Sequence, residues 1–471
     1  MLKSKNNSNI ITYIFSFVAS AIGILLNFFL ARVLQAESYG RLQYMIALST
    51  TCSQFMIIGM NTFLIREAKN EKQNFDVFSK CASLFIFMLI FEIPLLSFFL
   101  KSDKTLSNVA KVYVILVSSL MGLDLLITAL FQGKGKYKLT VIFENLIPKG
   151  FLLLVSLLFF ALGNIAYLEE YYLIFYIFIY TCIAIPILIK HFKGFKICFT
   201  TSEITSIFFF FGVTVTYSLG NNLTKVLQGG LYQNDVALGI ISVSISIVSL
   251  VRVFTSVLDN IVKPLFAKLK RNSNDDELLD VYRFDTRMNS YVSIPLYLFF
   301  IVFNTRFLSL FGGSFTAYPM ILSILALANA VSDLTGPNGT MLAMTGKEKW
   351  ELFNGILYFA IYILSVFIFS FDRIYGLCWA LLVAQFCVNV AKFIEVWILY
   401  KKPPLDKKSI FSILLIIIID GASIIPLKFI DNSIIWFAVG IALGVILVII
   451  NCFVISLYRK KDFKFLLDLR V

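Results

Sequence analysis

Charged residues are scarce in this sequence, and their scarcity sets its class. Asp, Glu, Lys and Arg make up only 15% of the 471 residues, whereas 59% are hydrophobic and 49 are phenylalanines. Soluble globular domains carry about 25% charged residues, so a water-soluble protein is excluded. Apolar runs of about 20 residues recur from end to end, and each can cross a bilayer as a continuous helix. The composition therefore predicts an all-α polytopic membrane protein.

Residues for catalysis and metal binding are also scarce. The single histidine, His191, lies beside Lys190 and Lys193 at the end of an apolar run, and the seven cysteines form no C-x-x-C pair. The sequence has no phosphate-loop motif, no H-E-x-x-H and no D-x-D. We therefore expect no covalent catalysis, no metal site and no cofactor.

The distribution of Lys and Arg predicts the topology. Inner loops hold 29 of the 41 Lys and Arg residues and outer positions hold nine, if the chain begins in the cytoplasm. This asymmetry predicts an even number of spans with both termini cytoplasmic, and it explains the net charge of +13 without nucleic acid as a partner. About fourteen spans are predicted: 10–34, 42–64, 80–100, 111–132, 140–162, 171–190, 204–228, 236–258, 288–311, 317–344, 351–370, 374–399, 409–428 and 433–457.

The loops between these spans are short on the outer side. The longest loop, 259–287, is predicted to be cytoplasmic, and its mixed charges indicate a solvated connector. An extracytoplasmic catalytic domain is therefore excluded.

Span 1 is repeated in span 7. Residues 11–35 and 204–228 align without a gap, with ten of 25 positions identical and with Arg32 opposite Lys225. Since both spans begin inside, this predicts two six-helix halves, 1–200 and 201–402, related by a pseudo-twofold axis along the membrane normal. Residues 403–471 then add two further helices, without repeat partners, and a basic tail.

Charged side chains inside spans cost about 3 kcal/mol each on insertion scales, so they mark candidate functional positions. Lys149 and Asp124 lie at mid-bilayer depth, and Arg252 and Asp333 lie toward the cytoplasmic side. Each couple could instead be a neutralising ion pair. Arg32 and Lys225, near the outer edge, could instead extend to the headgroups. Asp420 in span 13 is interpreted as a packing or interhelical hydrogen-bonding residue.

Short motifs give the chain a family resemblance. The run Leu30-Ala31-Arg32-Val33-Leu34 precedes Tyr39-Gly40, and span 2 ends in Phe63-Leu64-Ile65-Arg66-Glu67-Ala68. Later come Asp235-Val236-Ala237-Leu238-Gly239 and Lys263-Pro264-Leu265-Phe266-Ala267-Lys268. This pattern resembles bacterial polysaccharide and O-antigen flippases, which share a superfamily with lipid II flippases and multidrug extruders.

The resemblance implies a flippase of the bacterial plasma membrane. Its cargo would be an undecaprenyl-diphosphate-linked oligosaccharide, moved to the outer leaflet by alternating access for O-antigen, capsule or exopolysaccharide assembly. Membrane lipids and other polysaccharide assembly proteins would be its partners. The motif carries over Arg32 and Arg66 as cations facing the diphosphate in a cavity between the halves; depth and repetition add Lys149, Lys225 and Arg252. Asp124 and Asp333 would supply coupling or counter-charge.

Two alternatives stay open. A drug or cation extruder of the same fold would use carboxylates in its cavity, whereas the residue pair repeated here is cationic. A membrane-embedded polysaccharide polymerase or ligase is typically built with a large outer loop, whereas the large loop here is predicted inside.

Overall fold

A computed structural model describes residues 2–67, 71–102, 106–134, 136–163, 168–196, 198–271 and 274–458. Within these ranges all regular secondary structure is helical, which confirms the predicted all-α fold. Nine of the described helices are long and apolar enough to cross a membrane, or ten if the bent pair Met320–Thr335 and Asn338–Met344 is one span. The protein is therefore a multi-pass membrane protein, and the number fourteen stays a prediction.

The helices follow one another with short connections. Their bounds are α1 Leu2–Ile57, α2 Met60–Glu67, α3 Glu71–Ser102, α4 Asn108–Gly133, α5 Tyr137–Val141, α6 Ile147–Ala161, α7 Leu168–His191, α8 Thr201–Gly230, α9 Asp235–Arg271, α10 Asp275–Val302, α11 Asn304–Ser309, α12 Met320–Thr335, α13 Asn338–Met344, α14 Glu348–Ile368, α15 Gly376–Tyr400, α16 Lys407–Ile424 and α17 Ser433–Tyr458. A π-helical turn, Ile142–Leu146, joins α5 to α6, and two 3₁₀ turns cover Gly313–Ala317 and Ile425–Phe429.

The chain packs into two compact units. Unit 1 comprises Met1–Val243 with Phe311–Ala317, and unit 2 comprises Ser244–Leu310 with Tyr318–Val471. The apolar core of unit 1 is formed largely by α1 to α4, and the cores of unit 2 gather around α10. The predicted halves 1–200 and 201–402 are defined by a sequence repeat, whereas the two units are defined by packing. The units therefore do not test the boundaries at 200 and 402, which stay predictions.

A one-residue break divides α1 into the first two predicted spans. Gln35 has φ 64° and ψ 175°, a conformation that interrupts the helix at the position predicted for the first outer turn. The freed N–H of Ala36 donates a hydrogen bond to Ser314 Oγ at 3.1 Å, and Tyr39 packs edge-on against Phe315. Both partners belong to unit 1, so the break is supported by buried contacts.

Two family motifs meet just after this break. A Cβ atom on Gly40 would overlap the carbonyl oxygen of Asp235, and a Cβ on Gly239 would overlap the carbonyl oxygen of Ala36. The second part of α1 and the first turns of α9 are thus in backbone contact, which only glycine permits at these two positions. The contact is reciprocal, because each glycine faces the residue that lies four positions before the other glycine.

In unit 1, segments that are predicted to lie outside contact the start of α7, and segments that are predicted to lie inside contact each other beyond its end. At its start, Glu169 forms an ion pair with Arg41 at 3.2 Å. Beyond its end, Lys196 pairs with Asp76 at 2.8 Å, and Lys80 pairs with Glu203 at 3.2 Å. Glu203 also closes a capping box at the start of α8, where the Thr200 backbone N–H holds the pKa of that carboxyl below its usual range.

This grouping supports a topology test. Cysteines introduced after Glu170 and after Asp372 are expected to react with a membrane-impermeant thiol reagent added outside intact cells. Cysteines after Lys193 and after Lys408 are expected to react only when the membrane is opened. A chain without its seven native cysteines is the background. Labelling after Lys193 in intact cells would contradict the assignment.

The prediction of a solvated connector at 259–287 is wrong. The membrane helix α9 continues to Arg271 and α10 begins at Asp275, so both helices extend through this segment. The acidic residues Asp275, Asp276 and Glu277 occupy the first turn of α10, where the helix dipole favours negative charge. Only residues 272–273 between them lie outside the described ranges.

The last two helices are integrated into unit 2. Arg287 Nη1 donates to Ser409 Oγ at 3.0 Å, and Arg306 Nη1 donates to the Ile430 carbonyl oxygen at 2.8 Å. Asn451 Nδ2 donates to Asp420 Oδ2 at 3.0 Å, which confirms the interhelical hydrogen bond expected for Asp420. Although α16 and α17 have no partner in the sequence repeat, they are therefore hydrogen-bonded to the rest of unit 2.

Candidate functional site

Lys149 lies in a polar cluster within unit 1. Its Nζ donates a 2.7 Å hydrogen bond to Asn145 Oδ1, one helical turn earlier. Its aliphatic chain crosses Gly23 of α1, where a Cβ would lie 3.2 Å from Lys149 Cδ. A larger residue at position 23 would displace the lysine, so Gly23 leaves the space in which the ammonium is held.

Asp124 belongs to the same region but is not paired with Lys149. No ion pair within 4 Å joins these two described residues, and the buried Oδ1 of Asp124 has no hydrogen-bond partner among the described residues. Glu144 interacts electrostatically with both. The π-helical turn that carries Glu144 and Asn145 adds one residue to the helical repeat, a distortion frequent at functional sites.

Tyrosines of α7 line this cluster. Tyr176 and Tyr180 stack with ring centroids 4.4 Å apart, and the Tyr180 hydroxyl donates to the Glu144 carbonyl oxygen at 3.3 Å. The carboxyl of Asp124 also lies near enough to both hydroxyls to act on them electrostatically. The cluster thus combines one cation, two carboxyls and aromatic hydroxyls inside a membrane-spanning bundle.

Lys225 is held in a similar way on α8. Its Nζ donates to Gln43 Oε1 at 3.1 Å, and no carboxylate of the described residues pairs with it. Gln43 is buried and lies beyond the Gln35 break of α1. Lys149 and Lys225 therefore share one feature: each ammonium is oriented by a neutral amide oxygen and forms no ion pair with a described carboxylate.

The two motif arginines are more accessible. Arg32 is exposed on α1, three residues before the break. The side chain of Arg66 is 58% exposed, lies over the Phe210 ring at 5.5 Å and pairs with Glu67 at 3.6 Å. Unit 1 thus contains four of the five candidate cations.

The fifth candidate cation, Arg252, lies in unit 2 and is exposed. Asp333, its suggested partner, accepts a 2.8 Å hydrogen bond from the Tyr297 hydroxyl. The charge of Arg252 also acts on the Tyr297 hydroxyl, whereas Asp333 is bonded to that hydroxyl directly.

Unit 2 contains a further cluster of polar residues, and none of them is among the candidates predicted from the sequence. Lys392 Nζ pairs with Glu351 Oε1 at 2.6 Å, and Asn354 Nδ2 donates to Glu395 Oε2 at 2.7 Å. These residues link the antiparallel helices α14 and α15. The i, i+3 spacings of Glu351 with Asn354 and Lys392 with Glu395 place each couple on one helix face, a signal present in the sequence.

Comparisons with known proteins agree with this architecture. A family model described as polysaccharide biosynthesis protein matches residues 29–317. No curated protein matches the sequence significantly. Among solved structures, a lipid II flippase (MurJ) in an inward closed conformation is similar with a TM-score of 0.68 and 16% identity, over 95% of this chain and 99% of that chain.

Two transporters of the MOP superfamily are also similar in fold. An inward-facing multidrug resistance MATE family transporter has a TM-score of 0.60 and 11% identity, over 83% of this chain and 98% of that chain. A MOP superfamily transporter from Pyrococcus furiosus has a TM-score of 0.56 and 11% identity, over 84% and 95%. The family match covers more than half of the sequence, and the chain therefore belongs to the polysaccharide biosynthesis protein family, with the fold of the MOP superfamily transporters.

Proposed function

We propose that this protein is a flippase that moves undecaprenyl-diphosphate-linked oligosaccharide units from the inner to the outer leaflet of the bacterial plasma membrane. The units would serve O-antigen, capsule or exopolysaccharide assembly, and the movement would occur by alternating access. Membership of the polysaccharide biosynthesis family carries the proposal. The similarity in fold to a lipid II flippase supports it, since that protein is also named for a lipid-linked cargo.

Lys225 and the two accessible arginines of unit 1 favour this cargo over a cationic drug. Lys225 Nζ donates to the Gln43 amide oxygen and forms no ion pair with a described carboxylate, whereas Lys149 Nζ donates to the Asn145 amide oxygen and also has Glu144 nearby. A charge without an ion-pair partner in a low-dielectric region is costly and favours binding of an anion. A diphosphate supplies several acceptor oxygens for such donors, and Arg32 and Arg66 add accessible guanidinium groups.

No reacting group is required by this function. The cargo crosses unchanged, so the protein needs to bind the diphosphate, admit the glycan and change conformation. We therefore propose a transporter and not a polymerase or ligase, with both termini in the cytoplasm.

Depletion of the protein in its native cell tests this proposal. We expect a radiolabelled lipid-linked oligosaccharide to accumulate on the inner leaflet, protected from a membrane-impermeant glycosidase added outside. Restoring expression should return the label to the outer leaflet. Normal accessibility of the label in depleted cells would contradict the proposal.

A further inference from the structure

A pocket outside the lysine sites lies at the start of α4 and α7 in unit 1. Its volume is about 310 Å³, and its polar lining is formed by Arg41, Ser107, Tyr113, Glu169 and Glu170. We call it the α1–α4–α7 pocket. Ligand pockets of proteins span roughly 300 to 1,000 Å³, so this one has room for a single small ring and not for an oligosaccharide.

Three rigid elements fix the lining. The Gln35 break directs the second part of α1, which carries Arg41, toward the pocket. Ser107 caps α4 by accepting the Ala110 N–H at 3.1 Å, and Tyr113 follows nearly two turns later. Glu169 and Glu170 occupy the first turn of α7. A pocket built from helix starts keeps its shape better than one built from loops.

Arg41 is already neutralised by its neighbours. Its guanidinium pairs with Glu37 at 2.8 Å and with Glu169 at 3.2 Å, and also donates to Ser38 Oγ at 3.0 Å. Glu170 is exposed and forms no ion pair with any described residue. The lining therefore carries one positive and two negative charges, a surplus of one negative charge.

The surplus of negative charge in the lining indicates which chemical class of ligand the pocket can bind. A phosphate or a uronic acid would be repelled by the surplus carboxylate and would find the guanidinium occupied. A neutral or amine-bearing sugar instead offers hydroxyl and amine donors to the carboxylates of Glu169 and Glu170, and an apolar ring face to Tyr113. The Tyr113 hydroxyl lines the pocket and makes no hydrogen bond to another described residue.

We propose that the α1–α4–α7 pocket binds one neutral or amine-bearing sugar ring of the glycan. The proposal rests on the proposed function, because it names the part of the cargo that this pocket takes. The diphosphate would be held by the intramembrane lysines, and a sugar ring by the carboxylates and tyrosine of the pocket. The glycan and its anionic linkage would thus be recognised by groups of opposite charge.

Binding of free sugars to the purified full-length protein in nanodiscs tests the pocket without any flipping step. Saturation-transfer NMR would compare glucosamine, N-acetylglucosamine and glucuronate. We expect saturable binding of glucosamine and N-acetylglucosamine but not of glucuronate. Tyr113→Ala should weaken both about tenfold or more. Glu170→Gln should weaken glucosamine about tenfold and leave N-acetylglucosamine within about twofold, since a hydrogen bond between two charged groups stabilises a complex more than one with a neutral partner.

Asp76→Asn is the matched control, because Asp76 is a partly exposed carboxylate near the other end of α7. This variant should bind both sugars as the parent does. Absence of saturable binding, equal binding of glucuronate, or unchanged binding in Tyr113→Ala would overturn the pocket. If sugars bind as expected but lipid-linked oligosaccharide is not moved, the proposed function fails and the pocket assignment stands.

Discussion

Alanine at Gly40 or at Gly239 is expected to remove most of the folded protein from the membrane. Each added Cβ would overlap a backbone carbonyl oxygen of the facing helix, which cannot turn away as a side chain can. Overpacking in a close-packed interior costs about 1 to 3 kcal/mol even where side chains adjust, so a clash with the backbone falls at or above the top of that range. The yield of monodisperse protein in detergent and the midpoint of thermal unfolding measure the effect.

Gly421→Ala is the control for these substitutions. Gly421 is helical, and a Cβ there meets nothing within 4 Å. Alanine improves helix propensity by about 1 kcal/mol, so this variant should be as stable as the parent or slightly more stable. Parental yield and midpoint in both Gly40→Ala and Gly239→Ala would show that α1 and α9 are not in backbone contact.

Neutralising the amide-held lysines is expected to abolish most transport without loss of folded protein. Asn145→Asp and Gln43→Glu are nearly isosteric changes that convert the two amide hydrogen bonds into ion pairs with Lys149 and Lys225. The ammonium groups stay in place, but their charge is then balanced by a carboxylate. Hydrogen bonds to charged groups contribute about 1.5 to 3 kcal/mol, so export of glycan should fall about tenfold or more for each change.

Direct substitutions of the lysines complete this test. Lys149→Gln and Lys225→Gln should reduce export by a similar factor, whereas Lys149→Arg should retain part of it because the charge is kept. Lys101→Gln is the control, since Lys101 is exposed in the last turn of α3. If Asn145→Asp and Gln43→Glu, at parental abundance, export glycan at the parental rate, the two lysines do not bind the cargo.

Much of the fold follows from the sequence because apolar length and loop charge are one-dimensional signals. They predict the first outer turn at the position where the structure has a single non-helical residue, Gln35. The same signals fail at 259–287. Charged residues at helix ends have the composition of a loop, yet here they lie on α9 and α10 as these helices continue past the apolar segment.

The candidate site is predicted only in part because depth in a span does not give direction around the helix. Lys149 and Asp124 are predicted at the same depth, but the ammonium is bonded to Asn145 in the π-helical turn that directly precedes α6. The i, i+4 spacing of Asn145 and Lys149 is visible in the sequence. The contact of Lys225 with Gln43 is not, since 182 residues separate them and no local pattern relates them.

Transbilayer movement in proteoliposomes tests the central claim most directly. The purified protein would be reconstituted with a fluorescent undecaprenyl-diphosphate-linked oligosaccharide, and reduction by external dithionite would measure the fraction in the outer leaflet over time. We predict that the parental protein exposes the inner-leaflet lipid, and that Asn145→Asp and Gln43→Glu proteins, equally reconstituted, do so about tenfold more slowly. Protein-free rates in vesicles containing the parental protein, under every ion gradient and membrane potential imposed, would contradict the assignment of this chain as a lipid-linked oligosaccharide flippase.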